Sequence, residues 1–187
     1  MGLAKYLRLV RKTADLTFAP ANVEQILKII SETKTGADVL ARFTPHLRSG
    51  RIRIEGYPAE ILDKLRAAKS SDQPVGASFV TDGKAGTIYV DLSSELGVLA
   101  PFLLHEMIHG LDEGIWDLAR GNTRERGLRM LASEKTAFAT QHRFLTELKM
   151  LHPGLESFLG RRYSGARILH EEMTEAAIRQ LYDLEAA

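Results

Sequence analysis

The sequence predicts an α+β fold: a small mixed or antiparallel sheet packed on one buried helix, with further helices completing the core. Three observations predict it. Residues 51–55, 77–80 and 87–91 read as short strands. Residues 23–31, 127–151 and 166–185 carry apolar stripes at helical spacing. Leu99, Phe102, Leu103, Leu104, Met107, Ile108 and Leu111 make a further helix apolar nearly all round, as a helix buried on every side is.

The elements follow in order. Leu3, Leu7 and Val10 fall at helical spacing, so the N-terminus reads as a short amphipathic helix. Basic residues break up its apolar ones, so it lacks the core of a signal peptide. Gly2 could carry myristate, but Tyr6 stands where that signal needs Ser or Thr. Pro20-Ala21-Asn22 starts a helix with Asn22 as N-cap, and Val23, Ile26, Leu27 and Ile30 form its stripe. Thr35-Gly36 breaks it. A second short helix uses Val39, Leu40 and Phe43, and Pro45 is expected to end it.

Arg51-Ile52-Arg53-Ile54-Glu55 alternates with the period of a half-buried strand. Ile61, Leu62 and Leu65 suggest a helix within 58–69. Strands 77–80 and 87–91 flank Asp82-Gly83-Lys84-Ala85-Gly86, which has hairpin chemistry. Ser93-Ser94 turns the chain into the buried helix, where Pro101 fits only in a first turn. After a polar loop at 120–124, a long helix covers about 127–151 and stops at His152-Pro153-Gly154. A last amphipathic helix is expected over 166–185.

Length and composition fit one domain over 1–187. A net charge of +1 provides no field of one sign to draw nucleic acid or an anionic membrane. No run reaches transmembrane length, which predicts no integral membrane association. The expected location is cytoplasmic, with export by a specialised secretion route left open. There is no cysteine, which excludes disulfides, thiol catalysis and Cys-ligated zinc. Any zinc must rest on His and carboxylate.

The buried helix contains His105-Glu106-Met107-Ile108-His109. Positions four apart lie on one helix face, so His105 and His109 can hold one Zn²⁺. The adjacent Glu106 can activate a water on that metal. The bland alternative is a pair of core histidines satisfied by hydrogen bonds, with Glu106 in an ion pair.

A catalytic zinc usually takes three protein ligands and keeps one position open. The long downstream helix has an apolar stripe of Ala137, Phe138, Phe144, Leu145 and Leu148. Glu134 and Gln141 fall inside that stripe, whereas Lys135, Arg143 and Glu147 fall outside. Glu134 is therefore a carboxylate aimed at the core and the candidate third ligand. The alternative for it is an acid serving the helix dipole. His142 reads as a flank residue, His46 and His152 as loop residues, and His170 as an ordinary helical histidine.

The strand ending near Asp91, the His-Glu-x-x-His helix, and Ser133-Glu134-Lys135-Thr136-Ala137 on a later helix resemble the gluzincin branch of zinc metallopeptidases. They are similar in particular to small bacterial peptidases and secreted effector proteases. The resemblance covers about 85–145. It implies a zincin-like fold with 51–150 as catalytic core, between helical parts at 1–50 and 151–187. It implies His105, His109 and Glu134 as zinc ligands and Glu106 as general base and acid. It also implies that strand 87–91 borders the cleft and pairs with an extended peptide or protein substrate.

Two features depart from related patterns. Phe138 stands where larger gluzincins place an Asp that orients a ligand His, with Asp112 as a possible substitute. The third histidine of metzincins is missing, since Asp112 and Ile115 stand at its approach. No motif fixes the group that stabilises the oxyanion. Tyr163, beside Arg161 and Arg162, is the residue chosen from sequence. The reading is zinc-dependent peptide-bond hydrolysis. The alternatives are a non-catalytic zinc module, structural or sensing, or a translocated effector or toxin protease with the same chemistry.

Overall fold

The computed structural model describes residues 15–69, 72–118 and 122–182. The helix expected around Leu3, Leu7 and Val10 lies outside them. Helix α1 spans Val23–Ile30, and the Asn22 side chain caps it by accepting from Gln25 N at 3.1 Å. Ile26, Ile29 and Ile30 are its buried face.

Helix α2 spans Lys34–Arg48 and corrects two expectations. Thr35-Gly36 is its first turn and no break. Thr33 caps it, and a Cβ at Gly36 would lie 1.9 Å from the Ile30 carbonyl oxygen, so only glycine permits this approach. Pro45 lies inside the helix. It and Ala41, whose carbonyl loses a donor, are both on the exposed face, where water can substitute.

Strand β1 is Ile52–Gly56, helix α3 is Ala59–Ala67, β2 is Ala77–Thr81 and β3 is Gly86–Val90. The sheet order is β1-β3-β2. β1 runs parallel to β3 with Ile54 opposite Ile88, and β2 runs antiparallel with Phe79 opposite Ile88. The hairpin between β2 and β3 closes on Asp82 Oδ1, which accepts from the amides of Lys84 and Ala85. Because β3 is paired on both sides, it cannot receive a substrate strand. The expectation that 87–91 would do so is wrong. The open edge beside the buried helix is β2.

Asp91, 3% exposed, turns the chain out of the sheet. Its carboxylate accepts from Ser93 N, Ser93 Oγ and Ser94 Oγ, and Arg66 pairs with it at 2.9 Å. Helix α4, Leu96–Leu111, follows. Pro101 lies in its second turn. The cost of about 3 kcal/mol for an interior proline is outweighed because Leu99, Leu103 and Leu104 are fully buried, each worth about 1.5–3 kcal/mol. Gly110 lets the helix approach α2 and β1, since a Cβ there would lie 2.9 Å from both Phe43 and Ile52.

Short helix α5, Glu113–Trp116, leads towards α6, Thr123–Leu151, whose N-terminus has a capping box of Asn122 and Glu125. Helix α7, Gly154–Arg162, was not expected; the chain bends at His152-Pro153 and resumes. The single helix expected over 166–185 is instead a 3₁₀ turn at Arg167–Leu169, an irregular stretch, and α8 at Glu175–Leu181. Side chains of α6 explain the interruption. Gln141 Nε2 donates to Ile168 O at 3.1 Å and Lys149 Nζ to Leu169 O at 3.2 Å, occupying carbonyls that a helix would use.

The molecule is thus mixed α+β, with α4 sandwiched between the sheet, α1, α2 and α6. No helix among the described residues is long and apolar enough to cross a membrane.

Candidate metal centre

The antiparallel face where α4 meets α6 brings three predicted residues together. His105 and His109 come from α4 and Glu134 from α6, and all three are less than a tenth exposed. His105 Nε2 lies 3.1 Å from His109 Nε2 and 3.2 Å from Glu134 Oε2. His109 Nε2 lies 3.3 Å from Glu134 Oε1. Among the described residues, these are the ones whose ligand atoms lie close enough together to hold a metal ion.

The partners of the other ring nitrogens decide which way the imidazoles face. Gln141 Oε1 is 2.8 Å from His105 Nδ1. The Gln141 amide nitrogen is committed to Ile168 O, so its oxygen faces the ring and accepts. His105 Nδ1 therefore carries a proton, and the neutral ring leaves a lone pair on Nε2. Ser133 Oγ is 2.9 Å from His109 Nδ1 and can accept from it in the same way. Two lone pairs and a carboxylate then converge on one point, an arrangement that calls for positive charge. The Phe138 ring packs edge-on against His105 at 4.5 Å and excludes water.

Charge follows from this packing. Burial pushes the Glu134 carboxyl up, but the hydrogen-bonded imidazoles outweigh it and hold the pKa at about 2. Burial works to lower the pKa of His109, but contact with Glu134 and the charges of Glu106 and Asp112 raise it above its ordinary value. Glu106 is raised, chiefly by burial. Its Oε2 accepts from the Phe79 backbone N–H at 2.8 Å. That contact ties the carboxylate to β2 and fixes Phe79 N–H as pointing away from β3.

Tyr163, the predicted oxyanion group, is elsewhere. Its hydroxyl donates to Glu95 Oε2, and burial with that partner pushes its pKa to about 12. It lines neither cavity beside the histidines. Tyr182, just after α8, does. Burial of the phenol and the charge of the nearby Glu134 carboxylate raise its pKa, although the residue as a whole keeps 40% of its surface exposed. It borders a cavity of about 270 Å³ with Phe79, Glu106, His109 and Glu134, and another of about 280 Å³ with Phe102, His105 and Glu106. Nothing in the sequence marks Tyr182, because its link to Glu134 spans four dozen residues with no local pattern.

Asp112 does not orient a ligand histidine. Its side chain caps α5 by accepting from Gly114 N at 2.9 Å. The Nδ1 partners of the two imidazoles are Gln141 and Ser133. Gln141 was legible only as a polar residue in an apolar stripe. His152 pairs with Glu32 and His170 contacts Tyr163 O, both away from the centre.

No family model, curated protein or solved structure matches this chain. The chemical reading of the centre rests on its geometry.

Proposed function

We propose that this chain is a zinc-dependent peptidase of gluzincin-like type. His105, His109 and Glu134 hold the metal, and Glu106 moves the protons. The observation that carries the reading is the triangle of ligand atoms with the Glu106 carboxylate and an open strand edge beside it. Ligands about 2.0–2.1 Å from a tetrahedral Zn²⁺ lie about 3.3–3.4 Å from one another. The two Nε2 atoms are 3.1 Å apart, and Glu134 meets them with different oxygens, Oε2 at 3.2 Å from His105 and Oε1 at 3.3 Å from His109, contacts of that size. Three ligands of N and O type also match an open catalytic site, in which a fourth position remains for water.

Zinc bound there supplies Lewis acidity, acidifying water and polarising a carbonyl. The chain supplies the rest. An extended substrate lies along the outer edge of β2, where Ala77, Ser78 and Phe79 line the same cavity as Glu106 and His109 and the Phe79 N–H stays with Glu106. The Glu106 carboxylate takes a proton from water as the water oxygen bonds to the scissile carbon. It delivers that proton to the leaving nitrogen as the C–N bond breaks. A raised pKa suits a group that must hold the proton between those events. Tyr182, with a phenol that stays protonated at neutral pH, donates to the oxyanion.

The test is zinc content and peptide hydrolysis of wild type against Glu106→Gln. The variant is expected to keep one zinc per chain and lose about 10²–10⁴-fold in turnover. A variant as active as wild type would remove Glu106 from the chemistry. Zinc bound by a wild type that hydrolyses no peptide would favour a structural or sensing module.

A further inference from the structure

The cleft beside the centre continues into a larger groove, and its charge points to a substrate class. The 280 Å³ cavity that contains His105 and Glu106 shares Lys69, Phe102, Ile168 and Leu181 with an adjoining cavity of about 520 Å³. Pro74 and Met173 complete the apolar wall of the second. Lys69 stands at the junction and also lines the neighbouring surface of Asp91 and Glu95.

The acids nearby are already committed. Asp91 pairs with Arg66 at 2.9 Å, while Glu95 accepts from Tyr163 and lies 3.7 Å from Arg162. Arg167, on the wall of the larger cavity, pairs with Glu171 at 2.6 Å. Lys69 makes no ion pair among the described residues; its Nζ donates to Pro74 O at 2.8 Å. An ammonium has three donors, so two remain. Although the residue as a whole is exposed, partial burial lowers its pKa, with no carboxylate to offset the loss of water.

Resting on the peptidase reading, we infer that Lys69 selects a carboxylate within about two residues of the scissile bond, beside a bulky apolar side chain that fills the larger cavity. The distance follows from size. A cavity of 280 Å³ is about 8 Å across, and an extended chain advances about 3.3–3.6 Å per residue. The carboxylate is an Asp or Glu side chain or the peptide's own C-terminus.

The probe is a set of decapeptides with one Leu and Glu, Gln or Lys placed one or two positions away. A second set places a free or amidated C-terminus there. Zinc-loaded wild-type chain is expected to cleave carboxylate peptides about tenfold more efficiently than their neutral partners, the scale of one partly solvated charge-assisted hydrogen bond. Lys69→Met should level the ratio, and Lys69→Glu should turn it towards Lys. A benefit confined to the free C-terminus would identify that source; one confined to Glu would identify the side chain. Equal cleavage of Glu and Lys peptides by wild type, or a preference unchanged in Lys69→Glu, overturns the inference.

If no peptide is cleaved, the hydrolytic reading fails and binding decides Lys69. Fluorescence anisotropy of the same peptides, labelled, with zinc-loaded Glu106→Gln chain should favour Glu over Lys. Adding Lys69→Glu should reverse the order. Equal binding, or none, overturns the inference.

Discussion

Replacing Gln141 by Met tests whether His105 is a metal ligand oriented from behind. Gln141 is 1% exposed and makes two hydrogen bonds, one to each side of the centre. Met has similar length and volume but neither a strong acceptor nor a donor. The His105 Nδ1–H, on a ring 4% exposed, loses its acceptor, and Ile168 O loses its donor. The stranded buried His105 N–H costs about 1–3 kcal/mol and the part-buried Ile168 carbonyl about 1 more, so about 2–4 kcal/mol of stability should go. In a chain of this size that lowers Tm by roughly 5–15 °C. Metal affinity should fall separately. Losing the partner that fixes a ligand imidazole typically costs about 10–100-fold, or about 1.4–2.7 kcal/mol.

The assay is competition for zinc against a chromophoric chelator, with circular dichroism to confirm the helices. Gln141→Glu separates the two losses. It keeps an acceptor on His105 but removes the donor to Ile168 O. It should be less stable than wild type while binding zinc at least as tightly. A folded Gln141→Met chain that binds zinc within about threefold of wild type would refute the reasoning, since an effect of 10–100-fold is expected.

Other outcomes follow from the same geometry. Glu134→Ala should cost more than the ~100-fold that bounds loss of a supporting partner, with helical circular dichroism retained; unchanged zinc affinity would assign Glu134 a purely structural role. Tyr182→Phe should keep zinc and lower kcat about 10²–10³-fold, whereas Tyr163→Phe should cost about 1 kcal/mol of stability and leave kcat nearly unchanged; the reverse pattern would restore Tyr163 to the site. Because the pKa of His109 is raised above its unfolded value of 6.5, more than half of the metal-free chains hold that proton at pH 6.5. Its stabilising contribution is complete below 6.5 and is lost as pH rises through the folded value. Zinc binding must expel the proton, so calorimetry at pH 6.5 in buffers of different ionisation enthalpy should report proton release, with affinity falling as pH falls; no release would place the proton elsewhere.

The sequence by itself determined what depends on spacing within one element. His105 and His109 share a helix face because they are four residues apart, and Glu134 points inward because it shares the stripe of Ala137 and Phe138. Strand alternation and the Asp82-Gly83 turn likewise made the hairpin legible. Proline rules failed where tertiary context outweighed them. Pro101 is held in a helix by the burial around it, and Pro45 is tolerated on a wet face. Only the tertiary structure decided which strand is the edge, because the order β1-β3-β2 depends on pairings between segments far apart in the chain. Only it brought Gln141 behind His105, Ser133 behind His109, and Tyr182 into the cavity that Glu134 lines, with Tyr163 elsewhere. Those contacts join different elements, and a side chain's partner across such a junction is fixed by how the elements pack, which no local periodicity encodes.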